Sequence, residues 1–128
     1  MPVSEGRRRP EASTVMRALD QLEQTIAERQ AAAATESSYT AKLLAAGVAK
    51  IGSKITEEAA EVVEAAAEAG ETGRLHTVRE AADLVYHLMV MLRARQIPLS
   101  EVEANSPAAS TCLVWKRKRA GPNSRAGE

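Results

Sequence analysis

From Val15 onward, apolar residues return every three or four positions with polar and charged residues between them. Val15, Leu19, Leu22 and Ile26 keep that spacing, which predicts an amphipathic helix from about Thr14 to Gln30. Ser13 or Thr14 offers a hydroxyl to accept from an unpaired backbone N–H at its start. The pattern breaks in the polar half of residues 31–39, then resumes as a short helix from Tyr39 to Ala46, closed by Gly47 in the left-handed cap conformation. Val48, Ile51, Ile55, Ala59, Val62 and Ala66 mark a long helix beginning near Val48. Gly70-Glu71-Thr72-Gly73 interrupts it, and Leu75, Val78, Ala82, Val85, Met89 and Leu92 carry the next. Two long helices joined by a tight polar turn pack antiparallel. After Arg95-Gln96-Ile97-Pro98, a last short helix starts at Leu99, with Ser100 as its cap.

Composition sharpens this into a fold class. The chain is Ala-rich and only 2% aromatic, which favours helix over strand. The expectation is an all-α bundle of about four to five helices, small enough at 128 residues that its core is completed in a homo-oligomer. Residues 13–104 form the domain, residues 1–12 a flexible leader, and residues 105–128 a basic disordered tail containing Trp115-Lys116-Arg117-Lys118-Arg119. Lys plus Arg and Asp plus Glu are both 17, so net charge points to no nucleic-acid partner. The tail run lacks the aromatic interleaving of a nucleic-acid site. The single cysteine, Cys112, excludes an internal disulfide and suits a reducing compartment. With no apolar run of about twenty residues and no apolar stretch in Met1 to Pro10, no membrane association is expected and the location is cytoplasmic.

The candidate chemistry lies on the two long helices. One arm carries Glu57-Glu58-x-x-Glu61, the other Glu80-x-x-Asp83, and residues three apart share a helix face. If the turn is centred between Glu71 and Thr72, the first pair lies about 12 residues before it and the second about 10 after; at roughly 1.5 Å rise per residue their heights differ by about 3 Å. Like charges at Glu57, Glu58, Glu61 and Glu64 disfavour the helix unless something positive compensates. Mg²⁺ binds through a few carboxylates and keeps water and substrate phosphates in its other positions, so such a nest suits phosphate chemistry. The alternative is a solvated acidic face. No Cys or His spacing suggests zinc, and no Glu-x-x-His pair suggests a di-iron bundle.

These residues also carry a resemblance. Glu57-Glu58-x-x-Glu61 followed by Glu80-x-x-Asp83 resembles the motif of the all-α nucleoside triphosphate pyrophosphatase superfamily. Ser38-Tyr39-Thr40-Ala41-Lys42-Leu43-Leu44, Gly47, Ala49-Lys50-Ile51, Lys54, Glu57 to Val63, and Ala81-Ala82-Asp83-Leu84-Val85-Tyr86-His87-Leu88 are similar to the phosphoribosyl-ATP pyrophosphatase family over roughly Val15 to Val102. The resemblance implies release of pyrophosphate from phosphoribosyl-ATP to leave phosphoribosyl-AMP, the second step of histidine biosynthesis. It implies Mg²⁺ held by Glu58, Glu61, Glu80 and Asp83, with Glu57 a further ligand or the base that orients water. Expected partners are phosphoribosyl-ATP and a second copy in a homodimer or higher homo-oligomer; association with other histidine-pathway enzymes is left open. The chain departs from the family beyond Asn105-Ser106-Pro107.

Around the acids, Lys42, Lys50 and Lys54 are candidates to clamp substrate phosphates, and the resemblance favours Lys50 and Lys54; an ordinary surface Lys-Glu pair is the alternative, Lys54 to Glu58 being one four-residue step. Ser37, Ser38, Tyr39 and Thr40 offer hydroxyls to ribose or phosphate, or simply cap the next helix. His87, four residues past Asp83, is a phosphate contact, a partner to a ligand, or a structural histidine, Tyr86 is a packing residue, and His76 has no evident partner. Two rival functions are a house-cleaning pyrophosphatase acting on dUTP or an aberrant nucleotide, and a non-catalytic dimerisation module.

Overall fold

The computed structural model describes residues 17–107. It contains α1 (Ala18–Ala31), α2 (Tyr39–Ala46), α3 (Val48–Ala66), α4 (Gly70–Ala94) and α5 (Leu99–Ala104), with no strand among the described residues. The chain is all-α, as its pattern predicts. The leader, the caps Ser13 and Thr14, Cys112 and the basic run around Trp115 lie outside the described residues.

Local chemistry sets several of these bounds. Ser38 precedes α2 in extended geometry and its Oγ accepts from the Ala41 N–H at 3.0 Å, satisfying one of the donors a helix start leaves free. Gly47 ends α2 and begins α3 at once: its N–H donates to Leu43 O, and its own carbonyl accepts from Ile51 N–H, both at 3.1 Å. Its φ of 98° is positive as expected, but ψ is 176°, so the residue is extended rather than in a left-handed cap, a conformation open essentially to glycine.

The reversal between α3 and α4 falls at residues 67–69, ahead of the expected Gly70 to Gly73. Gly70 supplies a φ of 75° just as the new helix starts. Glu71, Thr72 and Gly73 then form the first turn of α4, where backbone N–H groups have no partner within the helix and the Glu71 charge suits the helix dipole. Gly73 has a second role, because Glu68 O sits where its Cβ would project. At the other end of α4, Gln96 takes φ 58°, Gln96 N–H donates to Arg93 O and Ile97 N–H to Leu92 O, each at 2.9 Å. These two bonds close the helix in the Schellman pattern, with glutamine standing where glycine is usual.

The core is assembled from Ile26, Leu43, Ile51, Met89, Val90 and Leu99, bordered by Leu22, Leu44, Ile55, Val85, Tyr86 and Leu92. Those on α3 and α4 lie in the half of the hairpin remote from its turn, and α1, α2 and α5 contribute the others. Nearer the turn, Val63, Leu75 and Val78 are exposed. Ser100 does not cap α5. Pro98 holds the cap position, and the free N–H of Leu99 donates instead to Glu23 Oε2 on α1 at 2.8 Å. Arg17, just ahead of α1, is paired with Glu103 on α5 at 2.5 Å, so the two ends of the described chain meet. No described helix is long and apolar enough to cross a membrane.

Candidate active site

Glu58 faces inward on α3 and is 8% exposed. Glu61 lies one turn on, and Glu80 approaches from α4; one oxygen from each of the three carboxylates falls within 4.8 Å of the others. The earlier turn shifts α4 away from the register expected from sequence, yet the group still closes. Helical side chains lean toward their own N-terminus, so on antiparallel helices Glu61 leans away from the turn and Glu80 toward it, which closes the offset. Asp83, one further turn from the reversal, is exposed and is not part of this group.

The electrostatics of the trio are unbalanced. Glu58 Oε1 and Glu80 Oε1 are buried with no hydrogen-bond partner. Glu80 beside it, partial burial and the charge of Glu57 push the Glu61 carboxyl above its ordinary value, against a smaller opposing pull from Glu58. Buried carboxylate oxygens without donors are costly. The donor set is all oxygen, which suits a hard divalent cation.

Glu57 and Glu58 have different surroundings. Glu57 is exposed and accepts from Lys54 Nζ at 3.0 Å, and that contact raises the Lys54 ammonium above its ordinary value. Lys54 therefore pairs across three residues, not with Glu58 across four. Lys42 and Lys50 are exposed on α2 and α3.

The Ser-Tyr-Thr segment docks on α4. Tyr39 OH lies 3.0 Å from His87 Nε2, and His87 Nδ1 lies 2.9 Å from the Asp83 carbonyl. A carbonyl only accepts, so Nδ1 carries a proton; with the ring neutral, Nε2 accepts from the Tyr39 hydroxyl. His87 is thus buried with both nitrogens engaged. Thr40 Oγ1 makes a short hydrogen bond with Tyr86 OH, and the Tyr39 and Tyr86 rings stack at 6.2 Å. Tyr86 is consequently more than packing. Ser38 spends one lone pair on its cap and keeps a hydroxyl proton to donate, while Ser37 is exposed.

One participant was not evident from sequence. His76 Nδ1 is 3.1 Å from both carboxylate oxygens of Glu68, and its Nε2 is 3.4 Å from Glu80 Oε2. Its contact with Glu68 raises the imidazole above its ordinary value. The four-residue step from His76 to Glu80 was visible in the sequence; the reach of Glu68 across the turn was not.

Residues 19–109 match the family described as phosphoribosyl-ATP pyrophosphohydrolase. The chain belongs to this family. As a phosphoribosyl-ATP pyrophosphohydrolase family member it is a hydrolase by kinship, and its relatives agree. It is 51% identical over 86 residues to the phosphoribosyl-ATP pyrophosphatase of Rhodopirellula baltica, covering 67% of this chain and 71% of that protein. It is 51% and 43% identical over 106 residues to the proteins of the same name in Rhizobium meliloti and Agrobacterium fabrum, in each case covering 81% of this chain and 95% of the relative. No solved structure matches the chain.

Proposed function

We propose that this chain hydrolyses phosphoribosyl-ATP to phosphoribosyl-AMP and pyrophosphate, in the second step of histidine biosynthesis, and that it does so with Mg²⁺. Family membership supports the substrate. The metal is supported by one observation above all: Glu58 Oε1 and Glu80 Oε1 are buried without donors in a trio whose third member is Glu61. A divalent cation would satisfy both oxygens together.

Glu58, Glu61 and Glu80 are assigned as the residues that hold Mg²⁺, with Asp83 as an outer member of the set. When bound, the ion neutralises phosphate charge and lowers the pKa of a coordinated water. Glu57, exposed beside Glu58, is assigned to orient that water. Lys54, held at the edge of the acids by Glu57, is assigned to a substrate phosphate, and Lys50 and Lys42 to the outer phosphates. Tyr39, whose hydroxyl proton is committed to His87, offers lone pairs and so suits a ribose hydroxyl; Ser38 keeps a proton and suits a phosphate oxygen. Thr40 and His87 hold Tyr39 and α2 in place. With no nucleophilic side chain required, the chemistry rests on positioning and charge stabilisation.

We also propose that the active form is a homodimer. Val63 at 69% and Val78 at 55% exposed, with Leu75 nearby on α4, form apolar surface where α1, α2 and α5 leave the hairpin uncovered. Light scattering on the purified chain tests this, with a monomer as the contrary result.

The decisive experiment is pyrophosphate release from phosphoribosyl-ATP, with Mg²⁺ and with EDTA, alongside dUTP. Release confined to phosphoribosyl-ATP with Mg²⁺ is expected. Equal release in EDTA overturns the metal, turnover of dUTP alone overturns the substrate, and no release from either favours a non-catalytic module.

A further inference from the structure

We propose that His76 is a positioning residue for the metal-holding carboxylates: clamped from the turn by Glu68, it engages Oε2 of Glu80 and leaves Oε1 of Glu80 presented to Glu58 and Glu61. This rests on the metal assignment above and adds a residue to it.

The geometry is a chain of contacts running from the turn to the site. Gly73 lacks a side chain, so the Glu68 backbone can lie against α4. From there the Glu68 carboxylate meets His76 Nδ1 symmetrically, both oxygens at 3.1 Å. With Nδ1 donating to Glu68, the far nitrogen, Nε2, lies 3.4 Å from Glu80 Oε2, a contact that draws the carboxylate when the imidazole carries both protons. Glu80 follows His76 by four residues on the same face and leans back toward it.

A glutamate has several rotatable bonds, and fixing them before an ion arrives removes an entropic cost from binding. With Oε2 lying 3.4 Å from His76 Nε2, the other oxygen is the one left buried and without a hydrogen bond. Residues that orient ligating groups in this way commonly change metal affinity 10- to 100-fold when removed. A purely electrostatic role for His76 has the opposite sign, since a cationic imidazole beside the site repels the ion.

Mn²⁺ binding to the full chain, followed by the electron paramagnetic resonance of the free ion, tests the proposal on wild type, His76→Ala, His76→Gln and Glu68→Ala. Expected are about a tenfold or greater loss of Mn²⁺ affinity in His76→Ala, a loss in the same direction in Glu68→Ala, and partial recovery in His76→Gln, whose amide can still donate. The unfolding midpoint in EDTA should stay near wild type for the variants. Unchanged or tighter binding by folded His76→Ala overturns the proposal. If that variant does not fold, Glu68→Ala decides, because it alters an exposed side chain and keeps the imidazole; wild-type affinity there overturns it equally. Absence of Mn²⁺ binding by wild type overturns the metal assignment itself and the positioning role with it.

Discussion

Lys54 donates to Glu57 at 3.0 Å and so places its hydrogen bond one residue short of the buried Glu58. The hydrogen bond goes to the exposed acid, and the buried one feels only the ammonium's charge at longer range. Because Glu57 is more than half exposed, their pairing contributes little to folding: Lys54→Ala is expected to change stability by less than about 0.5 kcal/mol in urea unfolding. The same substitution should raise KM for phosphoribosyl-ATP about tenfold, the equivalent of one charge-assisted phosphate contact. A large stability loss with unchanged KM would show Lys54 to be structural.

Glu58→Gln separates folding from function at the acid trio. Removing a buried charge that lacks a donor is expected to stabilise the EDTA-treated protein by about 1 kcal/mol. It should also abolish the rise in melting temperature on adding Mg²⁺ and lower pyrophosphate release by about two orders of magnitude. Calorimetry with and without metal, together with the release assay, gives all three outcomes.

The raised Glu61 carboxyl predicts a pH dependence with a definite sign. Its folded value lies above its unfolded one, so it contributes stability that is fully present below the ordinary value of 4.5 and is lost as pH rises through the raised folded value. In EDTA, the stability difference between wild type and Glu61→Gln should therefore shift against wild type across that window. Saturating Mg²⁺ should reverse the trend, since the ion binds the ionised form.

Gly73→Ala tests the turn. The added methyl would clash with the Glu68 carbonyl, and a backbone atom cannot swing aside, so a loss of about 1–3 kcal/mol is expected in urea unfolding. Ala at the exposed Thr72, one position earlier, should be nearly neutral.

Thr40→Val removes the partner of the Tyr86 hydroxyl while keeping shape. Leaving that oxygen unsatisfied should cost about 1 kcal/mol, and amide exchange should rise in α2, whose hold on α4 it weakens.

What could be read from sequence follows the range of the interactions involved. The starts of α2 and α3 were legible because Ser38 and Gly47 act on their own neighbours. The turn was displaced because Gly70 and Gly73 both punctuate, and only the packing of Glu68 O against Gly73 shows that the second glycine serves a close approach and not a bend. Ser100 looked like a cap, but Glu23 on α1 had already supplied the acceptor from 76 residues away. The acids of α3 were visible as a group, whereas the division between Glu57 and Glu58 depends on how α3 is rotated against α4, which spacing leaves open. His76 lacked an evident partner because the Glu68 contact exists only once the chain has reversed.

The contacts that join α1 to α5 give the domain the character of a closed ring. Leu99 N–H is held by Glu23, and Arg17 reaches Glu103, so the first helix and the last share their terminal interactions. The two ends are linked: opening α1 removes the acceptor of the Leu99 N–H, and opening α5 removes one exposed partner of Arg17. Loss of order at one end is thereby felt at the other, although the two are more than eighty residues apart along the chain.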